Sequence, residues 1–146
     1  MENFETKAGK SMKKKVLFIC THNSTRSQMA EGYMNAKYGD RYEAFSAGTE
    51  ATRVHPMAIE VMKEIGIDIS GHRSKLIDEF FGKGIETVVT VCDSATKACP
   101  FFPGAKEVFH QSYPDPSAFT GNEEKIRAEF RVVKNAIIRG IDAAFG

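Results

Sequence analysis

Long apolar runs are absent from this sequence. No stretch approaches the roughly 20 consecutive apolar residues that a helix needs to cross a bilayer. The first residues, Met1–Glu5, are acidic and polar and lack the apolar segment of a secretory signal peptide. We therefore expect a cytoplasmic protein.

A surplus of one charge sign is also absent. The chain has 20 lysine and arginine residues against 19 aspartate and glutamate residues, which gives a net charge of +1. Proteins that bind nucleic acid or anionic membranes by electrostatic attraction carry a marked basic excess. The sequence therefore predicts neither nucleic acid nor a membrane as a partner.

Internal repeats, low-complexity tracts and linkers are missing as well, so nothing divides the 146 residues into two domains. Residues 1–12 are polar and show no periodic pattern. The sequence predicts a disordered N-terminal extension over residues 1–12 and a single domain over residues 13–146.

Cysteine is scarce, with three residues in the chain: Cys20, Cys92 and Cys99. In a cytoplasmic protein, so few cysteines favour reactive or metal-bound thiols over structural disulfides.

Short β-rich runs alternate with segments of helical periodicity. This pattern predicts an α/β protein with a small doubly wound four-stranded parallel sheet and helices on both faces. The strands are expected over residues 15–20, 42–47, 87–91 and 107–110. In such sheets ligands bind beyond the carboxyl ends of the strands.

Helices are expected to begin near Arg26 and at Pro56, and a short helix is expected over residues 74–80. The Pro56 helix carries an apolar stripe of Ala58, Val61, Met62 and Ile65. A capping box of Thr120 and Glu123 is expected to begin the last helix.

The stretch Cys20–Ser27 is the most informative part of the chain. It has a cysteine, five residues, an arginine and a serine where a buried strand turns into a helix. Such a turn directs backbone N–H groups and the positive helix end to one point, where an oxyanion binds and a thiolate is stabilised. Arg26 adds a planar set of donors for a tetrahedral oxyanion. The stretch predicts Cys20 as a nucleophile acting on a phosphate-like oxyanion.

Two further residues of this stretch have alternative interpretations. Ser27 either donates a hydrogen bond to the Cys20 sulfur or is a simple first-turn helix residue. Asn23 either takes the positive φ that a tight anion-binding loop needs or is an ordinary turn residue. The histidines form no motif, and none is predicted to be essential.

Cys92 and Cys99 are separated by six residues. The pattern has three interpretations: two unrelated cysteines, a redox pair, or metal ligands. Metal binding is the least favoured, because the spacing is not of the CxxC type and no nearby histidine completes a zinc pattern. Asp115 lies in a proline-fixed turn after the fourth strand, either as a solvated carboxylate or as a general acid. The positions of the strand ends predict that Cys20, Cys92 and Asp115 lie at the same sheet edge.

With these residues in place, the chain resembles the thioredoxin-coupled arsenate reductases, which are built on the low-molecular-weight tyrosine phosphatase fold. The likeness extends from Lys13 to the C-terminus. Its most specific stretches are Cys20–Gly32, Ser46–Thr49 and Gly66–Ser70. The pair Cys92 and Cys99, followed by Pro100 and Pro103, points to a reductase rather than to a phosphatase of the same fold.

The resemblance implies a three-cysteine relay in one arsenate reductase domain. Cys20 attacks the arsenic of bound arsenate while Asp115 protonates the leaving oxygen. Cys92 then attacks the Cys20 sulfur and releases arsenite, and Cys99 takes over the disulfide, which thioredoxin reduces. The implied substrate-binding residues are Thr21, His22, Asn23, Ser24, Thr25, Arg26 and Ser27. A monomer without a cofactor or bound metal is expected.

Departures from the family pattern bear on three residues. Thr25 stands where some members carry another cysteine, which should not affect the relay. Lys75 stands where potassium-binding reductases carry an aspartate, so no potassium site is predicted. Ser117 stands where phosphatases of this fold carry a tyrosine, which weakens phosphotyrosine recognition.

Two other functions fit parts of the pattern. A low-molecular-weight protein tyrosine phosphatase would use Cys20, Arg26 and Asp115 in the same roles and leave Cys92 and Cys99 unused. A thiol sensor or arsenic-binding module would keep the cysteine reactivity without multiple turnover.

Overall fold

The structure, a computed structural model, describes residues 13–91 and 102–146. The expected extension over residues 1–12 lies outside the described residues, and so do Cys92 and Cys99. No helix in the described part of the chain is long and apolar enough to cross a membrane.

Four parallel strands form one sheet, as predicted from the sequence. They are β1 (Lys14–Cys20), β2 (Tyr42–Gly48), β3 (Thr87–Thr90) and β4 (Glu107–His110), in the spatial order β2-β1-β3-β4. The chain moves outward from β1 in both directions, so the carboxyl end of β1 is the switch point at which doubly wound sheets bind ligands.

Three α-helices pack against one face of the sheet. They are α1 (Arg26–Tyr38), α2 (Pro56–Lys63) and α3 (Glu123–Phe145). A short 3₁₀ helix at Ile77–Phe80 lies between α2 and β3, and a second one at Pro116–Ala118 follows β4. The first of these packs against the opposite face of the sheet, so helical segments cover both faces and the doubly wound α/β fold class is confirmed.

Alternation along β1 builds two apolar clusters. Val16 and Phe18 face the α-helices, whereas Leu17 and Ile19 face a smaller cluster around the first 3₁₀ helix, and all four side chains are fully buried. Because successive strand residues point to opposite faces, an apolar run of this length indicates a strand covered on both sides. The core thus fixes β1, whose end carries Cys20.

The predicted start of α3 was wrong. The Asn122 side chain accepts a hydrogen bond from the Lys125 N–H at 2.8 Å, and the helix begins at Glu123. Glu123 is therefore the first helical residue rather than the third. Gly121, with φ of 136°, separates Thr120 from the helix, so the Thr120–Glu123 capping box does not form.

Two other details of the helices differ from the prediction. The short helix is limited to Ile77–Phe80, because Ser74 and Lys75 run in extended form and bond to the loop after β1. In the α2 stripe, Ile65 lies beyond the helix end and is 41% exposed.

Candidate active site

The loop between β1 and α1 is held from outside through its carbonyl groups. The Thr21 carbonyl accepts from the Glu50 N–H at 2.9 Å, and the Ser24 carbonyl accepts from the His55 N–H at 2.9 Å. The His22 carbonyl accepts from the hydroxyls of Ser74 and Thr52. Neighbouring segments thus anchor the outer side of the loop.

The same bonds orient the loop amides. In a trans peptide, the N–H of one residue points away from the carbonyl of the residue before it. Outward carbonyls at Thr21, His22 and Ser24 therefore turn the following N–H groups toward the inside of the loop. Asn23 takes the positive φ, 50°, that the sequence suggested, and this tightens the turn. The loop forms an anion-binding concavity at a helix start.

Cys20 lies at the base of this loop, 2% exposed. Its sulfur is 2.8 Å from the Ser27 hydroxyl oxygen, which in turn accepts from the Asn23 side-chain amide at 2.8 Å. With its lone pair taken by Asn23, the Ser27 hydroxyl has its proton available for a Cys20 thiolate. Of the two interpretations of Ser27, the geometry favours the hydrogen bond to sulfur.

Arg26 connects the loop to the segment after β4. One guanidinium nitrogen donates to the Tyr113 carbonyl at 3.1 Å, and another lies 3.7 Å from an Asp115 carboxylate oxygen. The other Asp115 oxygen accepts from the backbone N–H and hydroxyl of Ser117, so Asp115 caps the second 3₁₀ helix. Two elements distant in sequence thereby place a carboxyl group over the anion loop.

These side chains surround one cavity of about 110 Å³. It is smaller than the roughly 300–1,000 Å³ typical of organic-ligand pockets, which suits a small anion. Its lining residues are Cys20, His22, Ser24, Thr25, Arg26, Thr52, His55, Asp115 and Ser117. Thr21, Asn23 and Ser27 are not among them, and they hold the loop instead. The positions of Cys92 and Cys99 lie outside the described residues.

His55 lines the cavity although the sequence analysis assigned it no role. It caps α2, and its Nδ1 accepts from the Met57 N–H at 3.0 Å, which leaves Nε2 to carry the ring proton. Burial lowers the pKa of His55, while the Asp115 charge opposes this shift. The only sequence signal was its position before Pro56, where a helix cap is expected.

A polar network supports the loop from behind. Gln28, fully buried, donates to both the carbonyl and the side-chain oxygen of Asn23. Lys75 donates its backbone N–H to the same Asn23 oxygen, and its ammonium lies 3.5 Å from a Glu31 carboxylate oxygen. The Lys75 ammonium thus places a positive charge beside Glu31. In the described part of the chain, no cluster of three or more potential ligands is arranged to hold a metal ion.

This chain is similar in sequence to a known protein family and to a known arsenate reductase. The profile of the low molecular weight phosphotyrosine protein phosphatase family matches residues 15–138. The arsenate reductase of Halalkalibacterium halodurans is 45% identical over 125 residues, which cover 86% of this chain and 90% of that protein.

Solved structures show the same likeness. A structure of an arsenate reductase in the phosphate binding state is 32% identical, with a TM-score of 0.77, and the match covers 90% of this chain and 95% of that one. A low molecular weight protein tyrosine phosphatase from T. tengcongensis is 31% identical, with a TM-score of 0.66, over 89% of this chain and 99% of its own.

Proposed function

This chain belongs to the low molecular weight phosphotyrosine protein phosphatase family, and from that premise we propose that it reduces arsenate to arsenite. The observation that carries the proposal is the small cavity in which Cys20, Arg26 and Asp115 meet above the loop amides. Donors of this kind stabilise negative charge on a tetrahedral anion, and Cys20 lies at the base of their cavity.

The first step joins sulfur to arsenic. The Cys20 thiolate attacks the As(V) centre, and one arsenate oxygen leaves as water after Asp115, in its protonated form, donates a proton. The Ser27 hydroxyl holds the attacking sulfur, and Arg26 with the loop amides binds the remaining oxygens. The product of this step is a covalent adduct with an S–As bond between Cys20 and arsenic, and the arsenic is still As(V).

The second step moves electrons to arsenic. The Cys92 thiolate attacks the Cys20 sulfur, the S–As bond breaks, and its electron pair stays on arsenic, which leaves as arsenite, As(III). Cys99 then attacks the Cys92 sulfur, which frees Cys20 as a thiolate and forms a Cys92–Cys99 disulfide. An external dithiol, for which we propose thioredoxin, restores the two thiols and supplies the two electrons.

Several properties follow as parts of the same proposal. Residues 13–146 act as a single reductase domain, monomeric and cytoplasmic, with residues 1–12 outside it. Arsenate and thioredoxin are its partners, and the relay needs no further cofactor because cysteines carry both electrons.

Phosphomonoester hydrolysis is the second candidate function. It is favoured by the shared cavity and by the likeness to a solved tyrosine phosphatase. The described cavity lining, however, contains no phenylalanine or tyrosine to hold an aryl ring, and Ser117 occupies the position that we associated with a phosphatase tyrosine.

Arsenate-dependent NADPH oxidation, measured with thioredoxin and thioredoxin reductase, tests the proposal. We expect multiple turnovers by the unaltered protein and none by Cys92→Ala, whereas Cys99→Ala should release one arsenite per protein molecule and oxidise no NADPH. Failure of the unaltered protein to turn over, with aryl phosphate hydrolysis that survives Cys92→Ala, would establish the phosphatase instead. A single stoichiometric reaction despite added reductant would indicate a thiol sensor.

A further inference from the structure

Thr25 has a buried hydroxyl that the proposed mechanism does not use. The residue is 3% exposed, and among the described residues its side-chain oxygen has no hydrogen-bond partner. It is the only buried side-chain nitrogen or oxygen of that kind in the described part of the chain. A buried polar group without a partner loses its hydration without compensation, so such groups usually have a specific function.

The position of Thr25 makes its free hydroxyl more unusual. Thr25 is the N-cap residue of α1, where a threonine side chain ordinarily accepts from an N–H of the first helical turn. Here the backbone has φ of −129° and ψ of −73°, and the side chain makes no capping bond. The hydroxyl is thus withheld from the role that its place in the helix would give it.

The surroundings of the Thr25 hydroxyl indicate which kind of group could be its hydrogen-bond partner. Thr25 lines the cavity together with Cys20 and Arg26. Arg26 offers donors only, and the nearby loop carbonyls of Thr21 and Ser24 already accept from Glu50 and His55. The acceptor in the lining, the Asp115 carboxylate, already faces Ser117 and Arg26. The rest of the cavity offers donors, and a donor hydroxyl there suits a ligand rich in acceptor oxygens.

We propose that the Thr25 hydroxyl binds the tetrahedral oxyanion directly, by donating a hydrogen bond to an oxygen that does not react. This inference rests on the proposed function only in requiring that the cavity takes such an anion. The hydroxyl adds a neutral side-chain donor to the charged Arg26 and the loop amides. It binds the anion before and during attack by Cys20, so it sets affinity rather than the rate of the chemical step.

Inorganic phosphate is a suitable probe, because it has the tetrahedral geometry of arsenate and is not reduced. Thr25→Val replaces the hydroxyl with a methyl group of similar size, and Thr25→Ser keeps the hydroxyl. We expect the Kd for phosphate, measured by protection of Cys20 from iodoacetamide, to rise about 10- to 100-fold in Thr25→Val, as for loss of a hydrogen bond to a charged group. Thr25→Ser should restore most of the affinity.

Thr87→Val is the matched control. Thr87 is also 3% exposed, but it lies in β3 and its hydroxyl donates to Glu107 at 3.3 Å, away from the cavity. It should bind phosphate like the unaltered protein. Equal phosphate affinity in Thr25→Val and the unaltered protein would overturn the proposal.

Thermal unfolding separates anion binding from a structural role. Without phosphate, Thr25→Val should unfold at the same Tm as the unaltered protein or higher, because an uncompensated hydroxyl has been removed. With saturating phosphate, the unaltered protein should gain more in Tm than the variant. A variant with a lowered Tm and an unchanged phosphate Kd would show that the hydroxyl serves the fold, and the proposal would fail.

Kinetics separates this inference from the proposed function. In the arsenate assay, Thr25→Val should raise KM for arsenate with kcat little changed. If the unaltered protein does not reduce arsenate but the Thr25 variants still differ in phosphate affinity, the reductase proposal fails and the anion contact stands.

Discussion

The imidazole ring of His55 both caps α2 and lines the cavity. Its Nδ1 caps α2, and its backbone N–H anchors the Ser24 carbonyl of the loop. Its ring packs against the Phe130 ring at a tilt of 43°, with 4.8 Å between the ring centroids. The cap requires an unprotonated Nδ1, because a doubly protonated ring has no acceptor. The neutral ring is therefore the form that the folded protein stabilises.

This preference predicts a dependence of stability on pH. Burial lowers the pKa of His55 from its ordinary value of 6.5. Its contribution to stability is therefore full above about pH 6.5 and falls as the pH drops below that value, since only the unfolded chain then takes up the proton. In His55→Asn the side chain keeps a capping acceptor but does not titrate. We expect the variant to lose less free energy of unfolding than the unaltered protein between about pH 7 and pH 5, measured by urea denaturation.

His55→Ala supplies the control for the cap itself. Removing the acceptor should lower the free energy of unfolding by about 1 kcal/mol at pH 7, whereas His55→Asn should retain most of it. Parallel pH profiles for the unaltered protein and His55→Asn would show that His55 does not titrate differently in the two states.

At the scale of elements, the end of β2 packs closely against the loop after β1 at Gly48. A Cβ atom on Gly48 would lie 2.6 Å from the Thr21 carbonyl oxygen and 2.8 Å from the Asn23 nitrogen. Both are backbone atoms of the anion loop, and the Thr21 carbonyl is held by the Glu50 N–H, so neither can move without displacing the loop. Gly48 is thus required by close approach of two backbones.

Gly48→Ala should therefore impair the site as well as the fold. We expect a loss of about 1–3 kcal/mol in the free energy of unfolding, as for overpacked positions, and a rise of at least about 10-fold in the Kd for phosphate. Gly71→Ala is the matched control, because nothing lies within 4 Å of its added Cβ. If Gly48→Ala bound phosphate as Gly71→Ala does, the loop would tolerate displacement and the close-approach explanation would be wrong.

Elements with strong local patterns were predictable from the sequence. The β-branched run at residues 87–91 and the apolar run before Cys20 indicated strands, and Pro56 indicated a helix start. Residues 74–80 were not predictable, because Ser74 and Lys75 are held extended by bonds to His22 and Asn23, some 52 residues earlier in the chain. The Thr120–Glu123 pattern failed because Asn122, closer to the helix, offered a better cap.

Over the whole molecule, the site was predictable where it is contiguous in sequence. Cys20–Ser27 carries its own signal, and the rule for strand ends placed Asp115 near it. His55 and Thr52 reach the cavity only through tertiary contacts that no local pattern records. Likewise, the sequence does not show that the Thr25 hydroxyl lacks a partner among the described residues, because its possible partners come from the tertiary structure.

Tyr113 links α3 to the site. A Cβ on Gly140, in the interior of α3, would lie 2.0 Å from the Tyr113 hydroxyl oxygen. That hydroxyl donates to Gln111, while the Tyr113 carbonyl accepts from Arg26. Tyr113 is 7% exposed, so packing limits rotation of its side chain, and displacing its hydroxyl should shift the backbone that leads to Asp115. We therefore expect α3, which contributes no residue to the cavity lining, to influence where the Asp115 carboxyl group lies.

Gly140→Ala is expected to separate stability from activity. Helix propensity favours alanine by about 1 kcal/mol and overpacking opposes it by about 1–3 kcal/mol, so the net loss of stability should be small. Misplacement of Asp115 should nevertheless lower kcat for arsenate about 10-fold or more, because proton donation depends on sub-ångström positioning.

Adding Tyr113→Phe removes the colliding oxygen and leaves the nearest remaining contacts, Gln111 Oε1 and Tyr113 Cζ, at 3.1 and 3.3 Å. The double variant should therefore recover most of the kcat lost in Gly140→Ala, and Tyr113→Phe alone completes the double-mutant cycle. Additive effects of the two substitutions would show that the α3 contact does not position the acid.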